Sequence, residues 1–346
     1  MYHHSLKAAV VPTIKEIAQK AGVSYSTVSR ALNGKKGVRP KIREKILVLA
    51  KEMDYFPHSS AKALVQNRVG VIGVVIPRTS EFAFQNPFYS HMLLGLSTVA
   101  SENDYRLMLA LNEKTSYAAL YHRRLVDGLV VVGNRFDDKY IPDLVRKDIP
   151  VVAVPGYPKQ FGIEVPSVNS ENFQSVHRAV SYLISLGHRN ISFILGRMSS
   201  KYSTERLDAY KKALADKGIP FNKKYIVESD FSRTDGFKLM GRLLDLEDPP
   251  SAVICINDSV TPGALHQIYS RGLKIPRDIS VLAIGCSDHL ELFQPPLTTV
   301  RTKVTEVGQT AARMLIQIIE NGSCPESQVV IPSDLIIRES TDVCQA

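Results

Sequence analysis

Residues 13–33 read Thr13-Ile14-Lys15-Glu16-Ile17-Ala18-Gln19-Lys20-Ala21-Gly22-Val23-Ser24-Tyr25-Ser26-Thr27-Val28-Ser29-Arg30-Ala31-Leu32-Asn33. Thr13 and Glu16 make a capping-box pattern. The Thr13 hydroxyl accepts from the Glu16 amide, and the Glu16 side chain reaches back to the Thr13 amide. Ile14, Ile17, Ala18 and Ala21 follow at helical spacing. Gly22 tolerates positive φ and suits a tight turn at the helix end. Ser24 is a good N-cap for a second helix over Tyr25–Leu32, whose buried stripe is Val28, Ala31 and Leu32. The opposite face then carries Tyr25, Ser26, Ser29 and Arg30.

Beyond this stretch, Asn33-Gly34 marks a turn and Pro40 opens a third helix with Ile42, Ile46, Leu49 and Met53 on one face. Three short helices with a glycine turn between the first two fit a helix-turn-helix unit. A plain three-helix bundle would explain the buried stripes and leave the second helix's exposed donors unexplained. Those side chains are of the kind that read base edges, with Lys and Arg nearby for phosphates. The charge distribution agrees. Residues 1–69 hold 13 of the 43 basic residues and 4 of the 34 acidic ones, so the whole net charge of +9 lies there. A merely solvated surface would spread that excess along the chain.

The segment Thr13–Asn33, with its Ala-Gly-Val-Ser-x-x-Thr-Val-Ser-Arg core, closely resembles the DNA-binding signature of the LacI/GalR family of bacterial repressors. The resemblance implies that Tyr25, Ser26 and Arg30 contact bases, that Thr27 and Ser29 lie against the phosphate backbone, and that Thr13 and Asn33 complete the DNA-binding set. It also makes Tyr55–Val65 a hinge. Ser60–Val65 is too short to be a stable helix alone, and an apolar side chain placed like Leu64 can wedge between base steps in the minor groove. Two departures stand out: Arg39 where the family usually has a Ser cap, and Ser60 where an aliphatic residue is common. The expected organisation is a helix-turn-helix domain over 1–57, a hinge and linker over 58–69, and a core over 70–346.

In the core, apolar runs alternate with helical stretches. Strands are expected at 71–76, 107–110, 128–132, 151–154, 191–195, 252–256 and 280–284, and helices at 92–103, 171–186, 205–217, 233–246 and 262–271. Alternation of this kind means parallel sheets covered on both faces, and the length calls for two lobes. Ligands bind such folds at the C-terminal ends of the strands. The family resemblance continues through Ser185–Ile191, Glu205–Tyr210, Asn257-Asp258, Gly272–Pro276, Pro295–Val300 and Arg338–Thr341. It implies an N-terminal all-α helix-turn-helix domain joined to an α/β two-lobed periplasmic-binding-protein-like core, with crossovers near Val168, Pro296 and Val330. It implies a homodimer on a pseudo-palindromic operator in double-stranded DNA. No apolar heptad follows Thr341 to support a tetramerising coiled coil.

By family position, Phe88 and Tyr89 on the first lobe and Arg206, Phe231 and Asn257 on the second line the ligand cleft. Aromatic faces stack on sugar rings, while Arg and Asn offer paired hydrogen bonds to hydroxyls. Ser287 stands where sugar-binding members usually carry an Asp, with Asp288 beside it. Pro155-Gly156-Tyr157 also lacks an acid common in the family. Ser80–Phe88 resembles the longer loop of maltose-type repressors, so the expected effector is an α-glucoside. A purine- or sugar-phosphate-responsive regulator is the alternative, and a solute-binding protein a further one. The enzyme reading lacks support: no Gly-x-Ser-x-Gly, Walker, His-Glu-x-x-His or Gly-x-Gly-x-x-Gly pattern occurs. Asp137-Asp138 reads as a cap or a solvated loop. No cofactor is expected. The four cysteines have no metal or redox spacing. With no signal-peptide core and no apolar run of membrane length, the expected location is the cytoplasm.

Overall fold

The computed structural model describes residues 12–32, 34, 36–55, 68–111, 116–133, 138–156 and 162–345. The chain divides into two separately packed units, 1–69 and 70–346. In the first, helices α1 (Ile14–Ala21), α2 (Tyr25–Leu32) and α3 (Pro40–Glu52) surround Ile17, Val28, Ala31 and Ile46. The capping box at Thr13 and Glu16 is formed, and Gly22 ends α1 at φ 70°. The Ser24 hydroxyl accepts from the Thr27 amide at 3.3 Å at the head of α2. Arg39 makes no side-chain cap for α3, whose first residue is Pro40.

The second unit begins with β1 (Val71–Ile76), α4 (Ser80–Gln85), α5 (Pro87–Glu102), β2 (Arg106–Leu111), α6 (Ala118–His122), β3 (Gly128–Val132), α7 (Tyr140–Arg146), β4 (Val151–Val154) and β5 (Ser167–Ser170). It continues with α8 (Phe173–Ser185), β6 (Ile191–Leu195), α9 (Lys201–Ala215), β7 (Ile226–Glu228), α10 (Arg233–Leu244), β8 (Ala252–Cys255), α11 (Val260–Ser270), β9 (Ser280–Gly285) and β10 (Thr298–Arg301). The last elements are α12 (Val304–Asn321), β11 (Gln328–Ile331) and β12 (Asp334–Ile336). Two six-stranded sheets result, in the orders β11-β5-β4-β3-β1-β2 and β12-β10-β9-β8-β6-β7. All described pairs are parallel except β10 with β12. The runs Gly-Leu-Val-Val-Val and Ile-Ser-Phe-Ile-Leu are buried throughout, as parallel strands covered on both faces must be.

The chain passes between the sheets at 171–172, 302–303 and 332–333. The middle passage lies beyond the Pro296 expected for it. Thr298-Thr299-Val300 is a β-branched run that pairs with Leu282–Ile284 before the chain leaves. The passages are tied together. Arg178 Nη2 donates to Glu171 Oε2 at 2.7 Å and to the Ser333 carbonyl at 2.8 Å, and Lys303 meets Asp334 at 3.1 Å. In the first lobe α5 and α12 cross at Gly95 and Gly308, each of which faces the backbone of the other helix. Among the described residues, no helix is long and apolar enough to cross a membrane.

Candidate functional site

The first unit presents α2 outward. Val28 and Ala31 are buried, while Tyr25 is 54% exposed. Ser26 and Arg30 are exposed, and Thr27 and Ser29 are half-buried. The Ser24 hydroxyl lies 2.9 Å from both the Ser26 and the Thr27 hydroxyls, which fixes the first turn. Thr13 is engaged as a cap, its amide donating to Glu16 Oε2 at 2.6 Å. Lys45 donates to the Ala21 carbonyl at 3.2 Å, satisfying the C-terminus of α1 and locking it to α3. Asn33 and Leu64, with the rest of the hinge from 56 to 67, lie outside the described residues.

The second unit holds a cavity of about 410 Å³. Its walls are the segments that follow the C-terminal ends of β1, β3, β4, β6, β7, β8 and β9, where this fold class places ligands. Five of the sequence-chosen residues are brought together here: Phe88, Tyr89, Arg206, Phe231 and Asn257. Asn86 caps α5 by accepting from the Phe88 amide at 3.1 Å, which aims the two aromatics at the start of that helix. Phe231 sits at φ 70° with its ring over Gly196. Its amide donates to Ser229 Oγ at 3.3 Å, and that hydroxyl donates to the Leu195 carbonyl at 2.8 Å. A left-handed, non-glycine residue costs on the order of 1–3 kcal/mol and persists where neighbours enforce it.

Ser287 and Asp288 do not line the cavity. After β9 the chain turns away into a single 3₁₀ turn, Asp288–Leu292, and Asp288 pairs with Arg301 in solvent. Among the described residues, the acid lining the cavity is Asp258. Its Oδ1 accepts from the Ser287 amide and its Oδ2 from the Cys286 amide, both at 3.0 Å. Sequence reasoning named the Asn257-Asp258 pair but gave the role to Asn257 alone. It also passed over Arg78, Arg197 and Tyr202, which line the cavity. Arg197 and Tyr202 lie shortly before the Glu205-Arg206 signature, the signal that would have found them. Tyr157 lies outside the described residues.

Burial governs the ionisable groups. It pulls the Arg206 guanidinium down to about 10 and pushes the Tyr89 and Tyr202 phenols up to about 12. Both tyrosines are thus protonated donors at neutral pH. Burial, aided by the Asp258 carboxylate, also raises the Cys286 thiol. A thiol so placed is a poor nucleophile. Asp138 is committed as well, accepting from the Tyr117 hydroxyl and the Tyr140 amide, each at 3.0 Å.

Residues 13–58 match the model of bacterial regulatory proteins of the lacI family, and residues 180–341 match a periplasmic binding protein-like domain. The repressor CytR of Escherichia coli K12 is 30% identical over 341 residues, covering 97% of this chain and 98% of CytR. The chain belongs to the lacI family. Two solved lacI-family structures superpose over nearly its whole length. The Lac repressor dimer bound to operator and the anti-inducer ONPF is 25% identical with a TM-score of 0.85, covering 96% of this chain and 99% of that one. The CelR–cellobiose complex is 28% identical with a TM-score of 0.72, covering 95% and 99%. This lacI-family chain is accordingly a DNA-binding transcriptional regulator, a helix-turn-helix reader followed by a two-lobed α/β core with parallel sheets.

Proposed function

We propose that the chain is a repressor of carbohydrate-use genes whose operator affinity is set by a small sugar-like ligand in the cleft. One observation carries this: Phe88, Tyr89, Phe231, Arg206 and Asn257 converge on one cavity at the strand ends, in a chain that also bears an exposed helix of Tyr25, Ser26 and Arg30. Rings for stacking and forked donors for oxygen are what a sugar requires. A related regulator, CelR, holds cellobiose. On this reading Tyr25, Ser26 and Arg30 read bases, Thr27 and Ser29 face phosphates, and Thr13 and Asn33 border them. A homodimer binds a pseudo-palindrome, with Leu64 of each hinge as a wedge. The domain limits are 1–57, 58–69 and 70–346, the chain works in the cytoplasm, and it catalyses nothing.

The ligand changes operator affinity only by the difference in its affinity for the DNA-competent and DNA-incompetent forms. The test is an operator selected from random duplexes, followed by gel shifts in the presence of a sugar panel that includes maltose and maltotriose, the α-glucosides suggested by residues 80–88. A sugar that shifts the operator midpoint supports the reading. Specific operator binding that no sugar alters sinks its ligand half, and equal binding to all duplexes sinks its DNA half.

A further inference from the structure

The cleft's polar groups are out of balance. Among the described residues Arg197 and Arg206 line it as cations, with Asp230 acting on the first and Glu205 on the second from outside the lining, and the one lining carboxylate is Asp258. That carboxylate is already engaged, holding the amides of Cys286 and Ser287 at 3.0 Å and the Cys286 thiol at 3.5 Å. Arg206 is buried and ion-pairs with no carboxylate among the described residues. Its Nε donates to Asn172 Oδ1 at 2.8 Å and its Nη1 to the Ile256 carbonyl at 3.3 Å, both neutral acceptors. Among the described residues, none accepts from its Nη2. The next residue along from Ile256 repeats the deficit. Asn257 Oδ1 accepts from the Ser259 and Val260 amides at 3.2 and 2.8 Å, while its Nδ2 is buried with no partner among the described residues. The Tyr202 ring lies beside Arg206, its centroid 5.9 Å from the guanidinium carbon, while its hydroxyl accepts from the Ser170 amide at 3.4 Å.

A buried cation hydrogen-bonded only to neutral groups is under-compensated, even with Glu205 acting on it from beyond ion-pair distance, and a buried donor with no acceptor is unfavourable. A neutral polyol corrects this poorly. Each hydroxyl that accepts from Arg206 or Asn257 carries a proton that needs an acceptor of its own, and among the described residues the lining carboxylate, Asp258, already accepts from two amides and a thiol. The serines at 199, 200 and 203 can donate or accept and leave the balance unchanged. A carboxylate or phosphate is acceptor-rich and brings the missing charge.

We propose that the effector is an acidic sugar, carboxylate- or phosphate-bearing, whose anionic group is held by Arg206 and Asn257 while its ring lies against Phe231. The inference rests on the cleft being the effector site. Arg197, exposed at the rim, adds attraction at longer range.

The test is calorimetry on the full chain at two salt concentrations. The probes are glucuronate, galacturonate, gluconate, glucose 6-phosphate and ribose 5-phosphate, each against its neutral parent sugar, with maltose added. The expected result is at least one acid binding tenfold or more tightly than its parent, with affinity falling as salt rises. The carboxylate and phosphate arms tell which anion is meant. Arg206→Gln is expected to reduce that preference tenfold or more. Should this variant fail to fold, Arg197→Ala at the rim is expected to lessen the salt dependence of acid binding. Neutral sugars binding as tightly as their acids, without salt dependence, overturn the anionic class and leave the sugar-responsive repressor standing. Silence from every probe on folded protein overturns both.

Discussion

Phe82 of the first lobe and Phe231 of the second meet edge to face across the cleft, their ring centroids 5.9 Å apart and their planes at 80°. Phe82 also packs on Tyr89 at 6.1 Å, and Tyr89 on Phe88 at 5.2 Å. Four rings thus form an unbroken series from α5 to the loop after β7. A ligand entering the cavity works against or with this contact, because all four rings line it.

Phe82→Ala removes the cross-lobe ring while leaving the cavity's charged groups in place. An edge-to-face pair contributes about 0.5–1.5 kcal/mol beyond its burial, so ligand affinity is expected to change by up to roughly tenfold. Phe84→Ala is the control, on the same helix but 69% exposed. Calorimetry that gives the two variants equal affinity would show that the Phe82–Phe231 contact does not bear on ligand binding.

Arg30→Ala is expected to relax base preference in each half-site, at about 1–3 kcal/mol per lost bidentate contact. Lys36→Ala or Lys41→Ala is expected to weaken binding to all duplexes and lower the salt slope by roughly one unit. Gel shifts over a salt series separate the two effects. An Arg30→Ala variant that alters the salt slope and keeps its base preference would reverse the assignment.

His188 is buried beneath the C-terminal segment. Its ring nitrogens lie 2.8 Å from Ser251 Oγ, 3.1 Å from Ser280 Oγ and 3.1 Å from the Asp342 carbonyl. Burial pulls its pKa below the ordinary 6.5, with the Asp342 carbonyl opposing. The unfolded chain therefore binds the proton more readily. The stability from neutral His188 is present above about pH 6.5 and is lost as pH falls through the folded value. Melting temperatures between pH 7.5 and 5 (roughly the span in which histidine titrates) are expected to fall more steeply for the wild type than for His188→Gln. Parallel profiles would show that His188 does not contribute to the acid sensitivity.

Gly95→Ala is expected to destabilise the first lobe by about 1–3 kcal/mol, because its new methyl group meets the Thr305 carbonyl and the Gln309 amide of α12. Ser101→Ala, exposed on the same helix, is expected to stay within about 0.5 kcal/mol. A melting curve for Gly95→Ala that matches Ser101→Ala would mean that α5 and α12 shift apart at little cost.

The helices of the first unit were legible because their signals are local. A capping box, a glycine at φ 70° and a proline at the first helical position each act within a few residues. The long apolar strands were legible for the same reason. Ser167–Ser170, Ile226–Glu228 and Asp334–Ile336 were not, being three or four residues long with polar side chains. Their pairing is set by neighbouring strands. Residues 80–85, read as part of a loop, form a helix because Thr79 caps it by accepting from the Phe82 amide at 3.3 Å. In the cleft, side chains carried on family signatures were found. The turning away of Ser287 and Asp288 depends on Asp258, 28 residues before Cys286, gripping two amides. Spacing along the chain does not reveal such a contact.

The laced passages between the lobes carry a further consequence. Glu171, Ser333 and Arg178 bind the first passage to the third, and Lys303 with Asp334 binds the second to the third. One strand of chain would let two bodies swivel freely, whereas three tied side by side resist twisting and sliding and leave bending as the soft direction. The core then behaves like a dial with a single pointer. On the proposed function, a cleft ligand acts along this one bending coordinate, so different ligands differ in how far they turn the dial.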